Sequence, residues 1–373
     1  MSRTVPLPKL HHITKSPEKK PKAEPHRRAD SLKSLLSQLQ RHDSLSPQLH
    51  ARILKSPQHS KHPFLLTRLA HAYLLSNHLP PAERILAKAF PDTSPPPLFL
   101  WNETIRAHSR NGCFRESIVV YRRMLARGLR PNAFTFTFVL PACAGARSSP
   151  DGRRVHKDSV RFGFDSNLFV ATALVDMYAK CGEIGTAREM FDGMPQRGTA
   201  TFNAMIAGYI WNGKCEEAMS LFDQMRRLGV QYDAMTMVSI LQACASLGTL
   251  QKGRWVHEQV IRAHMEINVH LGAALINMYA RCGSIEESRR VFDEMPRRDL
   301  VSWTAIICGH GMHGLAEDAE SLFNQMMESG FSPDSIAFVG LLSGFSHKGM
   351  VHKVKLHFYM HFGQPDNLKF PLP

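Results

Sequence analysis

TATFNAMIAGYIWNGKCEEAMSLFDQMRRLGVQYD, residues 199–233, reads as two helices and two glycine turns. In its first half Phe202, Met205, Ile206 and Tyr209 fall on one helical face, and Gly213 follows where a residue of positive φ is least costly. In its second half Ala218, Leu221, Phe222 and Met225 keep the i, i+3, i+4, i+7 spacing. That half closes on Arg226-Arg227 and Gly229, basic residues suiting the negative end of a helix dipole.

The same punctuation returns every 101 residues. Trp101, Phe202 and Trp303 keep that interval, as do Gly112, Gly213 and Gly314, Met124, Met225 and Met326, and Gly128, Gly229 and Gly330. Between them Cys143 repeats as Cys244, His156 as His257, Cys181 as Cys282, and Met194-Pro195 as Met295-Pro296. Each period divides into segments of 35, 35 and 31 residues, each able to hold a helix pair. They run 98–132, 133–167 and 168–198, then 199–233, 234–268 and 269–299, and a third set opens at 300–334. A helix pair of this size cannot bury its apolar stripe alone, but stacked pairs share one continuous core. The expected fold is therefore all-α, a right-handed α-solenoid of stacked helix-turn-helix repeats, rather than two or three compact domains. No apolar run reaches 18 residues, which argues against a membrane span.

WNETIRAHSRNG (101–112) with VVYRRMLARGLRPN (119–132), FNAMIAGYIWNG (202–213) with LFDQMRRLGVQYD (221–233), and WTAIICGHGMHG (303–314) with LFNQMMESGFSPD (322–334) resemble pentatricopeptide repeats. Their alternation with ALVDMYAKCGEIGTAREMFDGMP (173–195) and ALINMYARCGSIEESRRVFDEMP (274–296) resembles the P-L-S triplet class found in plant organelle RNA-editing factors. The tetratricopeptide alternative shares a similar period, but its W-x2-L-G-x2-Y signature is absent. The resemblance gives P-type repeats at 98–132, 199–233 and 300–334, L-type at 133–167 and 234–268, and S-type at 168–198 and 269–299. Degenerate L- and S-like repeats are expected over 31–97, and an incomplete L-type repeat with an atypical tail over 335–373.

Helical RNA-binding repeats read about one base each with two or three side chains. The resemblance implies that the readers are the fifth and last residues of each repeat. In the P-type repeats these are Asn102 with Asn132, Asn203 with Asp233, and Thr304 with Asp334, implying a pyrimidine, uracil and guanine, two nucleotides lying between each. The L-type pairs are Thr137 with Asn167 and Val238 with Asn268; the S-type pairs are Thr172 with Gly198 and Ala273 with Asp299. Gly198 and Ala273 offer no polar side chain, so these two pairs are not decoded. Asn, Thr and Asp at such places also serve as helix caps, a role compatible with base reading.

The chain carries +14, but residues 1–62 hold 13 Lys/Arg against 4 Asp/Glu, and 347–373 add +3. Only +2 remains for 63–346, so base contacts and local clusters such as Arg122-Arg123, Arg226-Arg227 and Arg289-Arg290 are expected to carry affinity, unless these are solvated helix ends. The basic, proline-rich residues 1–30 read either as a transit peptide or as a disordered tail, with the mitochondrion expected and the chloroplast the alternative.

The seven cysteines form no C-x2-C pair, and their recurrence at equivalent places marks them as packing residues. His357 and His361 are four apart but have no acidic companion, so no metal or other cofactor is expected. The zinc deaminase signature H-x-E…P-C-x-x-C carried by many editing factors is missing too, and HKVKLHFYMHFGQPDNLKFPLP (352–373) loses the repeat pattern. The expectation is a non-enzymatic binder of single-stranded organellar RNA, able to work with a deaminase or other processing enzyme supplied in trans. Rival readings are a protein-interaction scaffold and an inactive, truncated remnant of an editing factor.

Overall fold

The computed structural model describes residues 63–88, 97–350 and 352–353. The possible transit segment 1–30, the repeat remnant over 31–62, the tail beyond 353 and the pair His357 and His361 lie outside them. Among the described residues there are 17 α-helices and no strand. The chain divides into two units, Met1–Ala107 and His108–Pro373.

In the first unit α1 (Pro63–Leu75) packs on α2 (Leu79–Lys88), burying Leu65, Leu66, Leu69, Ala82, Ile85 and Leu86. Helix α3 (Leu98–Arg110) follows.

The second unit is an α-solenoid. Its helices alternate strictly between the two halves of each repeat: α4 (Phe114–Ala126), α5 (Ala133–Gly145), α6 (Ser149–Arg161), α7 (Leu168–Lys180), α8 (Ile184–Gly193), α9 (Thr199–Trp211), α10 (Cys215–Arg227), α11 (Ala234–Leu247), α12 (Leu250–Arg262), α13 (Val269–Arg281), α14 (Ile285–Glu294), α15 (Leu300–Met312), α16 (Ala316–Glu328) and α17 (Ser335–His347). The first helices α5, α7, α9, α11, α13, α15 and α17 pack each on the next and form one continuous layer. Each second helix, such as α10, wedges against its own first helix α9 and the following one, α11. Every repeat thus touches its neighbours and needs no long-range contact.

The stripe read in 199–233 is the core. Phe202, Met205, Ile206, Ala218, Leu221, Phe222 and Met225 are almost wholly buried. A fully buried side chain of this kind contributes about 1.5–3 kcal/mol, so the shared core outweighs local helix propensity. Gly213 stands at φ +72°, and the turn closes through Gly213 N–H to Ile210 O at 3.0 Å and Lys214 N–H to Tyr209 O at 2.8 Å. Polar bonds stitch repeats at fixed register: Asn212 Nδ2 donates to Ala179 O at 2.8 Å, and His313 Nε2 meets Ala280 O at 2.7 Å one period later.

Cysteine burial fits packing. Cys143 and Cys244 are enclosed, and burial pushes the Cys143 thiol up to about 12 and raises that of Cys244. Cys181 and Cys282 turn their thiols toward the carbonyls of Cys143 and Cys244. Among the described residues no helix is long and apolar enough to cross a membrane, and no cluster of three His, Cys, Asp or Glu could hold a metal.

Candidate nucleic-acid interface

The residue ending each repeat caps the first helix of the next. Asn132, Asn167, Asp233, Asn268, Asp299 and Asp334 each accept backbone N–H bonds at the starts of α5, α7, α11, α13, α15 and α17. An extended backbone and a short oxygen-bearing side chain are what an N-cap needs, so the repeat boundary is fixed by local chemistry. Asn132, Asp233 and Asp299 close reciprocal capping boxes with Thr135, Thr236 and Ser302. Gly198 caps α9 without a side chain.

Two of the expected pairs are in direct contact across a repeat. Asn203 Nδ2 donates to Asp233 Oδ1 at 3.0 Å, and Thr304 Oγ1 donates to Asp334 Oδ1 at 3.4 Å. Asp233 Oδ1 also accepts from Thr236 N–H at 2.9 Å. Burial raises the Asp233 pKa, but the bonds from Thr236 and Asn203 outweigh it and leave the carboxyl below its ordinary value. The group is therefore an anion with acceptor capacity to spare, at an exposed place beside the half-buried Asn203 amide.

The other candidates are arranged differently. Asn102 is buried on α3, and Asn132 caps α5. Thr137 donates to Phe134 O within its own helix, while Asn167 serves the N–H groups of Phe169 and Val170. Thr172 reaches the Thr201 hydroxyl at 2.9 Å, since Gly198 offers nothing. Asn268 and Asp299 are caps, and the residues expected to pair with them, Val238 and Ala273, have no polar side chain.

The basic clusters lie elsewhere. Arg122, Arg226 and Arg289 stand on second helices, away from the layer that carries the pairs. They are engaged within the protein: Arg122 with Asp151, Arg226 with Asp223 at 3.6 Å and over the Trp255 ring at 4.3 Å, Arg289 with Asp293 at 2.9 Å. These three arginines thus make helix-helix and within-helix contacts.

A feature unmarked in the sequence reading stands beside the pairs. The second residue of five of the seven first helices from α5 to α17 is a large apolar side chain left in solvent: Phe134 65% exposed, Phe169 73%, Met235 63%, Val301 60% and Ile336 59%, while α9 has Ala200 there and α13 has His270. They share the helix N-terminal end with the caps. Their signal was legible as apolar residues out of phase with the buried stripe, recurring at most repeat starts. Exposed faces of this kind suit base stacking.

Residues 197–246 and 298–347 match the PPR repeat family, and 99–129, 169–199 and 274–300 match the PPR repeat. These segments are pentatricopeptide repeats. Among relatives in Arabidopsis thaliana, the pentatricopeptide repeat-containing protein CRR2, chloroplastic, is 36% identical over 313 residues, 82% of this chain and 47% of its own length. The pentatricopeptide repeat-containing protein At1g59720, chloroplastic/mitochondrial, is 38% identical over 269 residues, 70% of this chain and 42% of its own length. The chain thus spans less than half the length of these two relatives. Among solved structures, the pentatricopeptide repeat protein PPR10 in complex with an 18-nt psaJ RNA element superposes with a TM-score of 0.67 at 16% identity, covering 92% of this chain and 54% of PPR10. That likeness establishes the shared repeat fold.

Proposed function

We propose that this pentatricopeptide-repeat chain binds single-stranded RNA in an organelle and reads it at about one base per repeat, serving editing-site recognition, processing or stabilisation. The observation that carries the reading is the Asn203–Asp233 pair. Asn203 spends one amide proton on Asp233 and keeps another to donate, and Asp233 keeps capacity to accept. A donor beside an anionic acceptor complements the lactam edge of a base, a carbonyl next to a ring N–H. Uracil and guanine present that edge; cytosine and adenine present the reverse. The Thr304–Asp334 pair supplies the same carboxylate one triplet later. Asn102, Asn132, Thr137, Asn167, Thr172, Asn268 and Asp299 would complete the register. The exposed Phe134, Phe169, Met235, Val301 and Ile336 would hold bases by stacking, which tolerates any sequence.

The family's repeats, an RNA complex of PPR10 and relatives whose names read chloroplastic or chloroplastic/mitochondrial support this reading. Catalysis on the RNA, such as deamination, would fall to a separate protein. The test is selection from a randomised single-stranded RNA pool by the full chain and by Asn203→Thr. Enrichment of pyrimidine-x-x-uracil-x-x-guanine is expected, with the central uracil moving to guanine in the variant. Two identical, sequence-blind profiles would overturn the proposal.

A further inference from the structure

Thr236 is the third residue of α11, wholly buried and out of reach of any ligand. Its hydroxyl accepts from Asp233 N–H at 3.1 Å, completing the capping box, but donates back across the repeat to Asn203 Oδ1 at 2.7 Å. Capping needs no such bond. Its effect falls on the amide: turned over, Asn203 would set its carbonyl 3.0 Å from Asp233 Oδ1, acceptor against acceptor, and would give up the proton it takes from Thr236. Thr236 and Asp233 together hold the amide with its remaining N–H free to donate.

The same place in α9 is held by Thr201, 1% exposed. There the cap is Gly198, so no side-chain box can form, yet the Thr201 hydroxyl still reaches back to Thr172 at 2.9 Å. The cross-repeat bond is therefore not a by-product of capping. In α17 the place is taken by Ala337, and Thr304 meets Asp334 alone, at 3.4 Å.

We propose that the buried hydroxyl at the third position of a first helix is a positioning residue for the base-reading pair of the preceding repeat, with Thr236 orienting Asn203 and Thr201 orienting Thr172. The inference rests on the base-reading role proposed above. Where the hydroxyl is missing, discrimination at that base is weaker.

The experiment measures affinity of the full chain for RNAs carrying each of the four bases at the register of repeat 199–233, and separately at that of 300–334. Variants are Thr236→Val, Thr236→Ser, Ala337→Ser and the reference Asn203→Thr. Thr236→Val should cut the preference for uracil over cytosine roughly three- to ten-fold, the worth of one hydrogen bond, with other registers unchanged. Thr236→Ser should restore it, and Ala337→Ser should sharpen the choice at 300–334; Ser302 shows that serine fits that place. A wild-type uracil preference in Thr236→Val, with only thermal stability lowered, would leave Thr236 a cap and overturn the proposal. Should Thr236→Val fail to fold, an unchanged profile in Ala337→Ser would overturn it equally. If Asn203→Thr shifts the preference and the threonine variants do not, only the positioning role falls. If Asn203→Thr shifts nothing, base reading itself falls.

Discussion

At the scale of single residues, two histidines couple protonation to folding. His156 Nδ1 lies 2.8 Å from the Tyr178 hydroxyl, and His257 Nδ1 lies 2.9 Å from that of Tyr279, each bridging a second helix to the next repeat's first helix. Burial lowers both histidine pKa values from 6.5, and pushes Tyr279 up to about 12. The unfolded histidine therefore binds a proton at higher pH than the folded one. Stability contributed by the neutral ring is intact above 6.5 and declines as pH falls from there toward the folded value. Chemical denaturation between pH 7.5 and 5.5 should show this decline, and the double variant His156→Gln, His257→Gln should flatten it. A slope unchanged in the variant would place the sensitivity in other groups.

At the scale of elements, α5 departs from its counterpart. Pro141 sits inside the helix, exposed, where α11 one period later has the exposed Gln242. Proline removes a helical N–H and crowds the carbonyl of residue 137, which belongs to the expected reader Thr137. Its cost in a helix interior is about 3 kcal/mol, offset here by the wholly buried Phe136, Val139, Leu140 and Cys143. Pro141→Gln should raise the midpoint of thermal unfolding followed by circular dichroism, with a gain of up to about 3 kcal/mol. An unchanged or lowered midpoint would show that the surrounding repeats already accommodate the ring.

At the scale of the whole array, contacts pass only between neighbours, so damage should stay local. First helices α15 and α17 approach each other closely, since a β-carbon at Gly311 would meet Gly340 O at 2.0 Å. Gly311→Ala must part these helices, a cost of about 1–3 kcal/mol. Hydrogen exchange should quicken in 300–347 and stay at wild-type rates in α5 to α8. Uniform acceleration along the chain would mean that the array unfolds as one cooperative block. Charge acts at this scale too: Arg122, Arg226 and Arg289 of the second helices are bound to Asp151, Asp223 and Asp293, which competes with phosphate for these three side chains.

The 101-residue period, the helical stripes and the glycine punctuation made the solenoid legible in the sequence, because each repeat's apolar face and turns are specified within some 35 residues. Positions 203, 233, 304 and 334 were legible only through the family resemblance, since a polar residue beside a helix start looks like any cap. What the tertiary structure decided is which groups meet. Residues 30 apart, Asn203 and Asp233, touch because stacking brings the fifth residue of one helix beside the cap of the next. The hydroxyls of Thr201 and Thr236 acquire their partners the same way, and Phe134, Phe169 and Met235 stay in solvent because no neighbour covers that turn. Periodicity is a property of the chain taken alone, whereas partnership exists only after one repeat has packed on another.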